Sequence, residues 1–260
     1  MSDTEDLLWQ EDNGIGIITL NRPQARNALT FAMYAKLREI CESVDPDGPL
    51  RAIVITGAGE KAFAAGTDIS AFRDFRQPQD ALDYESRMDK VLGALEAVPV
   101  PTIAAIAGAC TGGGAAIAAT CDLRIGARDM RFGFPISRTL GNCLSNANLA
   151  RLSAIIGPHR VKEIIFTARL IEANEALALG LVSELHDDKE TTYVRALQIA
   201  ETLKGHAPLT MRATKEALRR LRIGERDNDK DLIVQCYMSE DFREGMEAFL
   251  AKRTPDWKGR

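Results

Sequence analysis

Residues 97–121 of the chain read AVPVPTIAAIAGACTGGGAAIAATC and contain no charged side chain. A run of roughly 25 residues is long enough to cross a bilayer, but its two prolines and its scattered glycine and threonine residues argue against a membrane helix. The better interpretation is a buried strand over 102–107, a glycine turn, and a small-residue helix over 113–120. A helix that begins at a glycine exposes backbone N–H groups and the positive end of its dipole. The stretch therefore predicts a site for a group that carries partial negative charge.

The composition is typical of a soluble globular protein. The chain has 260 residues, of which 45% are hydrophobic and 27% charged, and its formal net charge is -4. This length fits one large domain or two small ones. Nucleic acids and anionic membranes are themselves negatively charged, so a mildly acidic chain is not expected to bind either partner through its overall charge. The N-terminus, MSDTED, lacks the apolar or arginine-rich pattern of a targeting segment, which predicts a cytoplasmic location.

Cysteine and histidine usage favours neither a metal site nor a nucleophilic triad. The five cysteines (Cys41, Cys110, Cys121, Cys143 and Cys236) are scattered and form no C-x-x-C pair. Structural disulfides and zinc are therefore not expected, and no metal site is predicted. The three histidines lie far apart in the sequence, so a Ser-His-Asp or Cys-His mechanism is disfavoured.

Strands alternate with helices in the first two thirds of the chain, which predicts an α/β core. Strands are predicted at 15–20, 51–56, 102–107 and 123–126. Helices are predicted over 31–44, with Thr30 as N-cap, and over 70–95. From residue 149 onward helices dominate, at 193–203, 208–221 and 241–252, with one further strand at 181–185.

Two small-residue segments have the character of backbone donor sites. They are FAAGTDI at 63–69 and GGG at 112–114. Small residues let a ligand approach the main chain closely, and two N–H groups together can stabilise an oxyanion. The triple glycine has neither the G-x-G-x-x-G order of a dinucleotide site nor the Lys-Ser/Thr of a phosphate loop.

These segments belong to a longer series of motifs that runs through essentially the whole chain. The series is NRPQARNAL (21–29), AAGTDI (64–69), PTIAAIAG (101–108), GGG (112–114), CDLR (121–124), FGFP (132–135), EALALGLV (175–182) and SEDFREGMEAFLAKR (239–253). Taken in this order, it resembles the crotonase (enoyl-CoA hydratase/isomerase) superfamily.

The resemblance implies an α/β fold with a spiral of ββα units over 1–195. A C-terminal helical region over 196–260 would build a homotrimer, often paired into a hexamer, within one continuous family domain. The resemblance also implies an acyl-CoA thioester as substrate and lyase or isomerase chemistry of fatty acid metabolism. Coenzyme A then enters as part of the substrate, and no separate cofactor is expected.

By position, the resemblance assigns an oxyanion hole to the backbone N–H groups of Thr67 and Gly113. Enolate charge on a thioester oxygen is what two fixed donors and a helix dipole favour, at about 3 kcal/mol per donor. Arg26 would lie by the nucleotide of coenzyme A, and Phe249 and Lys252 would approach the coenzyme from this or a neighbouring subunit. The remaining substrate-binding residues would be Ala28, Ala65, Asp68, Ile69, Ser70 and Gly112.

The sequence departs from the family at the two acids. Hydratases of the family use two glutamates, and the matching positions here are Ala116 and Ile136. Between residues 97 and 162 the only acidic residues are Asp122 and Asp129, which match a structural segment and a surface turn. Alanine and isoleucine cannot transfer a proton, so hydration by two glutamates is not expected.

The loop after Pro135 is longer than in hydratases of the family and rich in polar residues. One interpretation makes Ser137 and Arg138, or Asn142 and Ser145, replace the acids; the other makes these residues turn formers and caps of a helix near Asn148. Cys143 is a candidate thiol nucleophile, although a packing role is favoured. The acids of the 70–90 segment are a further source of a proton-transferring group, although most of them are interpreted as a solvated helix face: Asp74, Asp83, Glu85 and Asp89.

Two hypotheses about function follow. In the first, the protein is an enzyme that binds an acyl-CoA and stabilises its enolate, with a non-standard reaction outcome. In the second, it is a non-catalytic acyl-CoA binder or interaction protein that has kept the fold.

Overall fold

A computed structural model of the chain describes residues 5–225 and 228–260, and within them there are ten β-strands and nine α-helices. The strands are β1 (Leu7–Asp12), β2 (Ile15–Leu20), β3 (Ala52–Gly57), β4 (Ala62–Ala64), β5 (Thr102–Ile106), β6 (Ala109–Thr111), β7 (Leu123–Ala127), β8 (Arg131–Gly133), β9 (Ile171–Glu172) and β10 (Leu185–His186). The helices are α1 (Phe31–Ser43), α2 (Pro78–Ala97), α3 (Gly113–Thr120), α4 (Asn146–Thr167), α5 (Ala173–Ala178), α6 (Lys189–Lys204), α7 (Pro208–Arg222), α8 (Lys230–Tyr237) and α9 (Glu240–Ala251). The N-terminal stretch used to predict location begins with residues 1–4, which lie outside the described residues.

Two sheets organise the α/β core. The larger sheet has the strand order β1-β2-β3-β5-β7-β10, and the smaller one has the order β4-β6-β8-β9. In the larger sheet β1 and β2 form an antiparallel hairpin, whereas the other strands pair in parallel. The hairpin turns at Asn13 and Gly14, with φ of 48° and 77°, the positive angles that a tight two-residue turn requires.

A strand–strand–helix unit repeats three times along the chain. Each unit has a strand of the larger sheet, then a strand of the smaller sheet, then a helix: β3-β4-α2, β5-β6-α3 and β7-β8-α4. This is the ββα repeat that the motif series predicts. The unit matters for function because it places successive small-residue bends next to one another.

The larger sheet is buried on both faces. On β3, Ile53 and Ile55 belong to the core shared with the smaller sheet, whereas Ala52 and Val54 point to the opposite face, as the alternation of a strand requires. That opposite face packs against α6 through small side chains such as Ala196 and Ala200 of the helix. The predicted division between residues 195 and 196 therefore falls inside a helix that packs on the sheet.

Most predicted elements are present with bounds that differ by a few residues. The helix over 113–120 has the predicted bounds, and Thr30 caps α1 by accepting the Met33 N–H at 3.2 Å. The segment predicted as a helix over 70–95 is instead a short 3-10 turn at Ile69–Phe72 followed by α2.

The predicted strand at 181–185 is wrong, since only Leu185–His186 pair as a strand. The N–H groups of Leu181 and Val182 both bond to the Ala176 carbonyl at the end of α5. The apolar side chains are fully buried there, so the pattern reflects a buried helix terminus.

Asp122 and Asp129 have structural roles. Asp122 accepts hydrogen bonds from the Thr102 N–H at 2.7 Å and from the Lys215 ammonium at 2.6 Å, which joins α7 to the larger sheet. Asp129 accepts the Gly108 N–H at 3.0 Å. No helix in the described part of the chain has the length and apolar character of a membrane span.

Candidate functional site

A cavity of about 440 Å³ opens between α1, α2, the start of α3 and the loop after β8. Its wall contains both small-residue bends, with Thr67 on one and Gly113 on the other. The cavity is lined by Tyr34, Ala65, Gly66, Thr67, Ile69, Phe72, Tyr84, Glu85, Met88, Leu92, Thr111, Gly112, Gly113, Ala116, Phe134, Pro135, Ile136, Thr139, Leu140, Asn142, Cys143, Leu144 and Asn148. Most of these side chains are apolar, so a charge that develops inside is poorly screened by water.

The two bends touch through glycines. A methyl group added to Gly112 would lie 3.4 Å from the Gly66 Cα, and both glycines have positive φ, at 51° and 111°. Such angles and such proximity are accessible to glycine and costly for other residues. The contact therefore brings the residues that follow, Thr67 and Gly113, to one end of the cavity.

The backbone N–H groups of Thr67 and Gly113 have no hydrogen-bond acceptor within the segments to which these residues belong. Gly113 is the first residue of α3, so its N–H has no acceptor within the helix. Thr67 pairs with Leu29 in parallel: the Leu29 N–H donates to the Gly66 carbonyl at 2.8 Å, and the Asp68 N–H donates to the Leu29 carbonyl at 2.9 Å. Because neighbouring residues of an extended segment direct their N–H groups to opposite sides, the Thr67 N–H points away from Leu29.

A row of three hydroxyl groups lies beside these amides. The Thr67 hydroxyl oxygen is 2.9 Å from the Tyr34 hydroxyl oxygen and 3.2 Å from that of Tyr84. Burial raises the pKa of both tyrosines, so they stay protonated and can donate. A methyl group on Gly113 would lie 2.0 Å from the Tyr34 oxygen and 3.1 Å from the Thr67 hydroxyl oxygen, which shows how closely this row adjoins the start of α3.

The hydroxyl row ties the first bend to two helices, because Tyr34 is on α1 and Tyr84 on α2. Tyr84 is held in turn by aromatic neighbours, with its ring centroid 4.9 Å from that of Phe72 and 6.0 Å from that of Phe31. Sequence reasoning missed both tyrosines, since neither lies within a recognisable motif.

The wall of the cavity is apolar at the two positions where the family resemblance places acids. Ala116 on α3 and Ile136 in the loop both line the cavity and are buried. One carboxylate is present elsewhere in the lining formed by the described residues, that of Glu85 on α2. Burial, and secondarily the nearby charge of Asp89, raise the pKa of the Glu85 carboxyl.

The other acids of the 70–90 segment do not line the cavity. Asp83 accepts a hydrogen bond from the Gln79 amide at 2.7 Å on the outer surface of α2. Asp89 accepts the Ser145 hydroxyl at 2.8 Å. Of the four acids that the sequence offered, Glu85 alone contributes to the lining.

The loop after Pro135 divides into two parts. Ser137 and Arg138 are exposed and absent from the lining, and the Ser137 hydroxyl donates to the Ile165 carbonyl on α4. Ser145 is the N-cap of α4 and accepts the Asn148 N–H at 3.3 Å. These contacts favour the interpretation of Ser137 and Ser145 as turn and cap residues, while a catalytic role for Ser137 or Arg138 stays a prediction.

Besides Thr139, three polar residues farther along the chain line the cavity: Asn142 and Cys143 in the loop and Asn148 in the first turn of α4. The sequence favoured a turn, cap or packing role for them. Cys143 is exposed, so it lies at the rim of the cavity and is not a buried packing residue.

The residues assigned to coenzyme A extend outward from the first bend. Ala65, Ile69 and Gly112 line the cavity. The Ala65 N–H donates to the Arg26 carbonyl at 3.0 Å, and Arg26 is exposed with a left-handed φ of 51°.

Arg22 links two of the predicted substrate-binding residues, Ala28 and Asp68. Its guanidinium donates to the Ala28 carbonyl at 2.7 Å and to the Asp68 carboxylate at 3.1 Å. Hydrogen bonds from Ser70 and from Arg22 lower the pKa of Asp68. The carboxylate is thus held as an anion that fixes the turn after Thr67.

Phe249 and Lys252 lie apart from the other residues assigned to coenzyme A. Phe249 is on α9 with 83% of its surface exposed, and Lys252 follows directly after that helix. Neither residue lines the cavity of its own chain, so their predicted contact with coenzyme A stays a prediction.

Comparisons with known proteins identify the family to which the chain belongs. A sequence profile described as enoyl-CoA hydratase/isomerase matches residues 10–260. The chain belongs to the enoyl-CoA hydratase/isomerase family. It is 32% identical over 252 residues to the short-chain-enoyl-CoA hydratase of Clostridium acetobutylicum, with 95% of each chain covered. It is 33% identical over 260 residues to the 2,3-dehydroadipyl-CoA hydratase of Escherichia coli, with 98% of this chain and 99% of that one covered.

Solved structures of family members show the same fold. An enoyl-CoA hydratase/isomerase family protein from Hyphomonas neptunium superposes with a TM-score of 0.91 at 33% identity, and both chains are covered over 100% of their length. An enoyl-CoA hydratase/carnitine racemase from Magnetospirillum magneticum gives a TM-score of 0.89 at 32% identity, with 99% of this chain and 97% of that one covered. The predicted crotonase fold is thereby confirmed.

Proposed function

We propose that this family member processes an acyl-CoA thioester through an enolate whose oxygen is bound by the N–H groups of Thr67 and Gly113. The observation that carries the proposal is the contact between Gly66 and Gly112, which sets two bends side by side at the end of one apolar cavity. Removing a proton from the carbon beside a thioester carbonyl puts negative charge on the carbonyl oxygen. Two fixed donors stabilise that charge more than they stabilise the neutral carbonyl, at about 3 kcal/mol per donor.

The start of α3 strengthens one of the two donors. A helix N-terminus carries roughly half a positive charge, and here it opens into a cavity with mostly apolar walls. The Tyr34 and Tyr84 hydroxyls hold the Thr67 side chain, so the first bend need not reorganise when the charge appears.

The reaction that follows enolate formation differs from hydration by two glutamates. Ala116 and Ile136 offer no group that activates water or delivers a proton. We therefore propose an isomerase- or lyase-type conversion of an acyl-CoA in fatty acid metabolism, and we expect little hydration of crotonyl-CoA in a direct absorbance assay. Rapid hydration that persists when every acid in the 70–90 segment is replaced would contradict this part of the proposal.

The decisive experiment measures exchange of the C2 protons of butyryl-CoA in D2O by mass spectrometry. Butyryl-CoA has no double bond, so exchange reports enolate formation without any net reaction. We expect exchange that depends on the protein and a strong loss of it in G113A, whose methyl group would lie 2.0 Å from the Tyr34 hydroxyl oxygen. G93A is the matched control, because a methyl group at Gly93 on α2 meets no atom within 4 Å.

A non-catalytic acyl-CoA binder is the second candidate, and it is favoured by the apolar residues Ala116 and Ile136. Thermal shift and mass analysis of a panel of acyl-CoA esters separate the two functions. Binding without turnover or exchange would support the binder and overturn the enzyme, whereas a mass change in any ester would support the enzyme.

We further propose that the protein assembles into a homotrimer or a pair of trimers. Helices α8 and α9 support this, because they expose large apolar side chains that a lone subunit leaves in water. These side chains include Val234, Tyr237, Met246, Phe249 and Leu250. A cytoplasmic location stays a prediction.

A further inference from the structure

The inner face of α2 carries one acid among apolar residues. Glu85, Met88 and Leu92 all line the cavity, and their spacing of three and four residues places them on one side of the helix. Met88 and Leu92 are buried apolar side chains of the core. A carboxyl in such a row is costly to bury and contributes nothing to packing that methionine or leucine would not supply better.

The Glu85 carboxylate has no structural partner to account for its position. Among the described residues it forms neither an ion pair nor a side-chain hydrogen bond, whereas Asp80, Asp83 and Asp89 on the same helix all accept hydrogen bonds. An unpartnered acid that faces a ligand-sized cavity is a candidate for a group that acts on the ligand.

The helix that carries Glu85 is anchored to the amide donors. The neighbouring residue, Tyr84, places its hydroxyl oxygen 3.2 Å from that of Thr67. This contact fixes the first turns of α2 against the bend whose N–H is proposed to bind the thioester oxygen. The carboxyl and the two amides therefore lie on the wall of one cavity with a fixed relation to each other.

From these observations, and resting on the proposed function, we infer that Glu85 is the acid–base residue that moves the substrate proton. Its carboxylate takes a proton from C2, the C2–H electron pair forms the C1–C2 double bond, and the charge moves to the thioester oxygen between Thr67 and Gly113. Return of the proton to C2 restores the substrate. Delivery to C4 of a 3-enoyl-CoA moves the double bond from C3–C4 to C2–C3, and neither water nor a redox partner is consumed.

The substrate class follows from the single carboxyl and the walls around it. One acid–base group supports removal and return of one proton, which suits isomerisation and does not supply the water-activating partner of a hydratase. The apolar residues Met88, Leu92, Leu140 and Leu144 favour an unsubstituted hydrocarbon chain beyond C4. We therefore assign 3-enoyl-CoA esters with a hydrocarbon tail as the substrate class.

The test compares E85Q with D83N in the butyryl-CoA exchange assay and in conversion of a 3-enoyl-CoA ester. Glutamine keeps the shape of the side chain but cannot take up a proton. D83N removes the same charge from the outer surface of α2, where Asp83 contacts Gln79. We expect E85Q to lower exchange by about 10²-fold or more with unchanged binding of butyryl-CoA in calorimetry, and D83N to exchange at the wild-type rate.

Failure of this inference is distinct from failure of the proposed function. Exchange by E85Q at the wild-type rate would overturn the role of Glu85 and leave the enolate site standing. Absence of exchange in the wild type, with butyryl-CoA bound, would overturn both.

A pH profile supplies a readout that a structural role would not change. The titratable side chains around Glu85 are Tyr84 and Asp89 on its own helix and Tyr34 and Cys143 across the cavity. The charge of Asp89 contributes to the raised pKa of Glu85, so D89N should move the rise of the exchange rate to lower pH. An unshifted profile in D89N would contradict proton transfer by Glu85.

Discussion

At the scale of single residues, the position of Glu85 has a cost for the folded protein. Burial and Asp89 raise the pKa of this carboxyl, so folding opposes its ionisation. A group whose pKa is raised on folding contributes stability below its unfolded pKa, about 4.3 for glutamate, and loses it as the pH rises through the folded pKa. At neutral pH the wild type therefore bears a penalty that an uncharged residue would not.

We accordingly expect E85Q to have a higher melting temperature than the wild type at neutral pH. The difference should shrink as the pH falls towards the ordinary pKa of glutamate, because both side chains are then neutral. Thermal unfolding across this pH range measures the effect, with D83N as the control that should show no gain. A lower melting temperature for E85Q at neutral pH would mean that Glu85 stabilises the fold.

The Tyr34 hydroxyl gives a second prediction at this scale. Y34F removes its hydrogen bond to Thr67 and leaves the Thr67 hydroxyl with Tyr84 alone. We expect a loss of about 1 kcal/mol in the free energy of unfolding and a decrease in kcat that exceeds the change in KM. Urea unfolding and steady-state kinetics measure these changes, and Y193F is the control because Tyr193 lies on α6, outside the cavity lining.

Sequence reasoning reached half of the candidate site. The small residues of 63–69 and 112–114 mark two candidate backbone donor sites within short stretches of chain, and the family resemblance points to Thr67 and Gly113 within them. Tyr34 and Tyr84 could not, because their proximity to Thr67 depends on how α1 and α2 pack. Glu85 was one of four acids singled out in the 70–90 segment; Asp74 lies before α2, and only the orientation of α2 distinguishes Glu85 from Asp83 and Asp89.

At the scale of elements, α3 depends on close approach to the smaller sheet. A methyl group at Gly114 would lie 2.4 Å from the Ala64 carbonyl oxygen on β4, so the helix must shift to accept it. We expect G114A to lower the free energy of unfolding by about 1–3 kcal/mol, measured by urea denaturation.

The control for this substitution is G93A, at a half-buried position inside α2 where an added methyl group meets no atom within 4 Å. Alanine is the better helix former, so we expect G93A to raise the free energy of unfolding by about 0.5–1 kcal/mol. The same glycine-to-alanine change is thus expected to act in opposite directions at the two positions, which separates the effect of packing from that of helix propensity. A neutral G114A would show that α3 can move away from β4 without loss.

Strands and helices with strong periodicity were predictable, and their ends were less so. The helix over 113–120 follows from a glycine start and a run of small residues, and its bounds were correct. The strand predicted at 181–185 failed because Leu181 and Val182 are buried by helix-end hydrogen bonds to Ala176. A short apolar run is equally compatible with a buried strand and with the buried end of a helix.

At the scale of the whole molecule, the proposed assembly can be tested at α9. Leu250 is 74% exposed, and burying it between subunits would remove apolar surface from water. We expect the wild type to have the mass of a trimer or hexamer in light scattering, and L250D to shift towards the monomer. A charge reversal on the exposed residue Glu11 of β1, E11K, should leave the mass unchanged, and a monomeric wild type would contradict the assembly.

The separation of Glu85 on α2 from the amide donors at Thr67 and Gly113 also bears on regiochemistry. The amides proposed to stabilise the enolate charge follow strands of the smaller sheet, whereas the carboxyl proposed to carry the proton lies on α2. Moving the carboxyl from Glu85 to Met88, in the double variant E85M/M88E, shifts it by about 4.5 Å along the helix axis and leaves the amides in place. A dienolate accepts a proton only at C2 or C4, so product analysis should then find a changed ratio of 3-enoyl to 2-enoyl ester, and the position of the acid along the helix would set which of the two carbons is protonated.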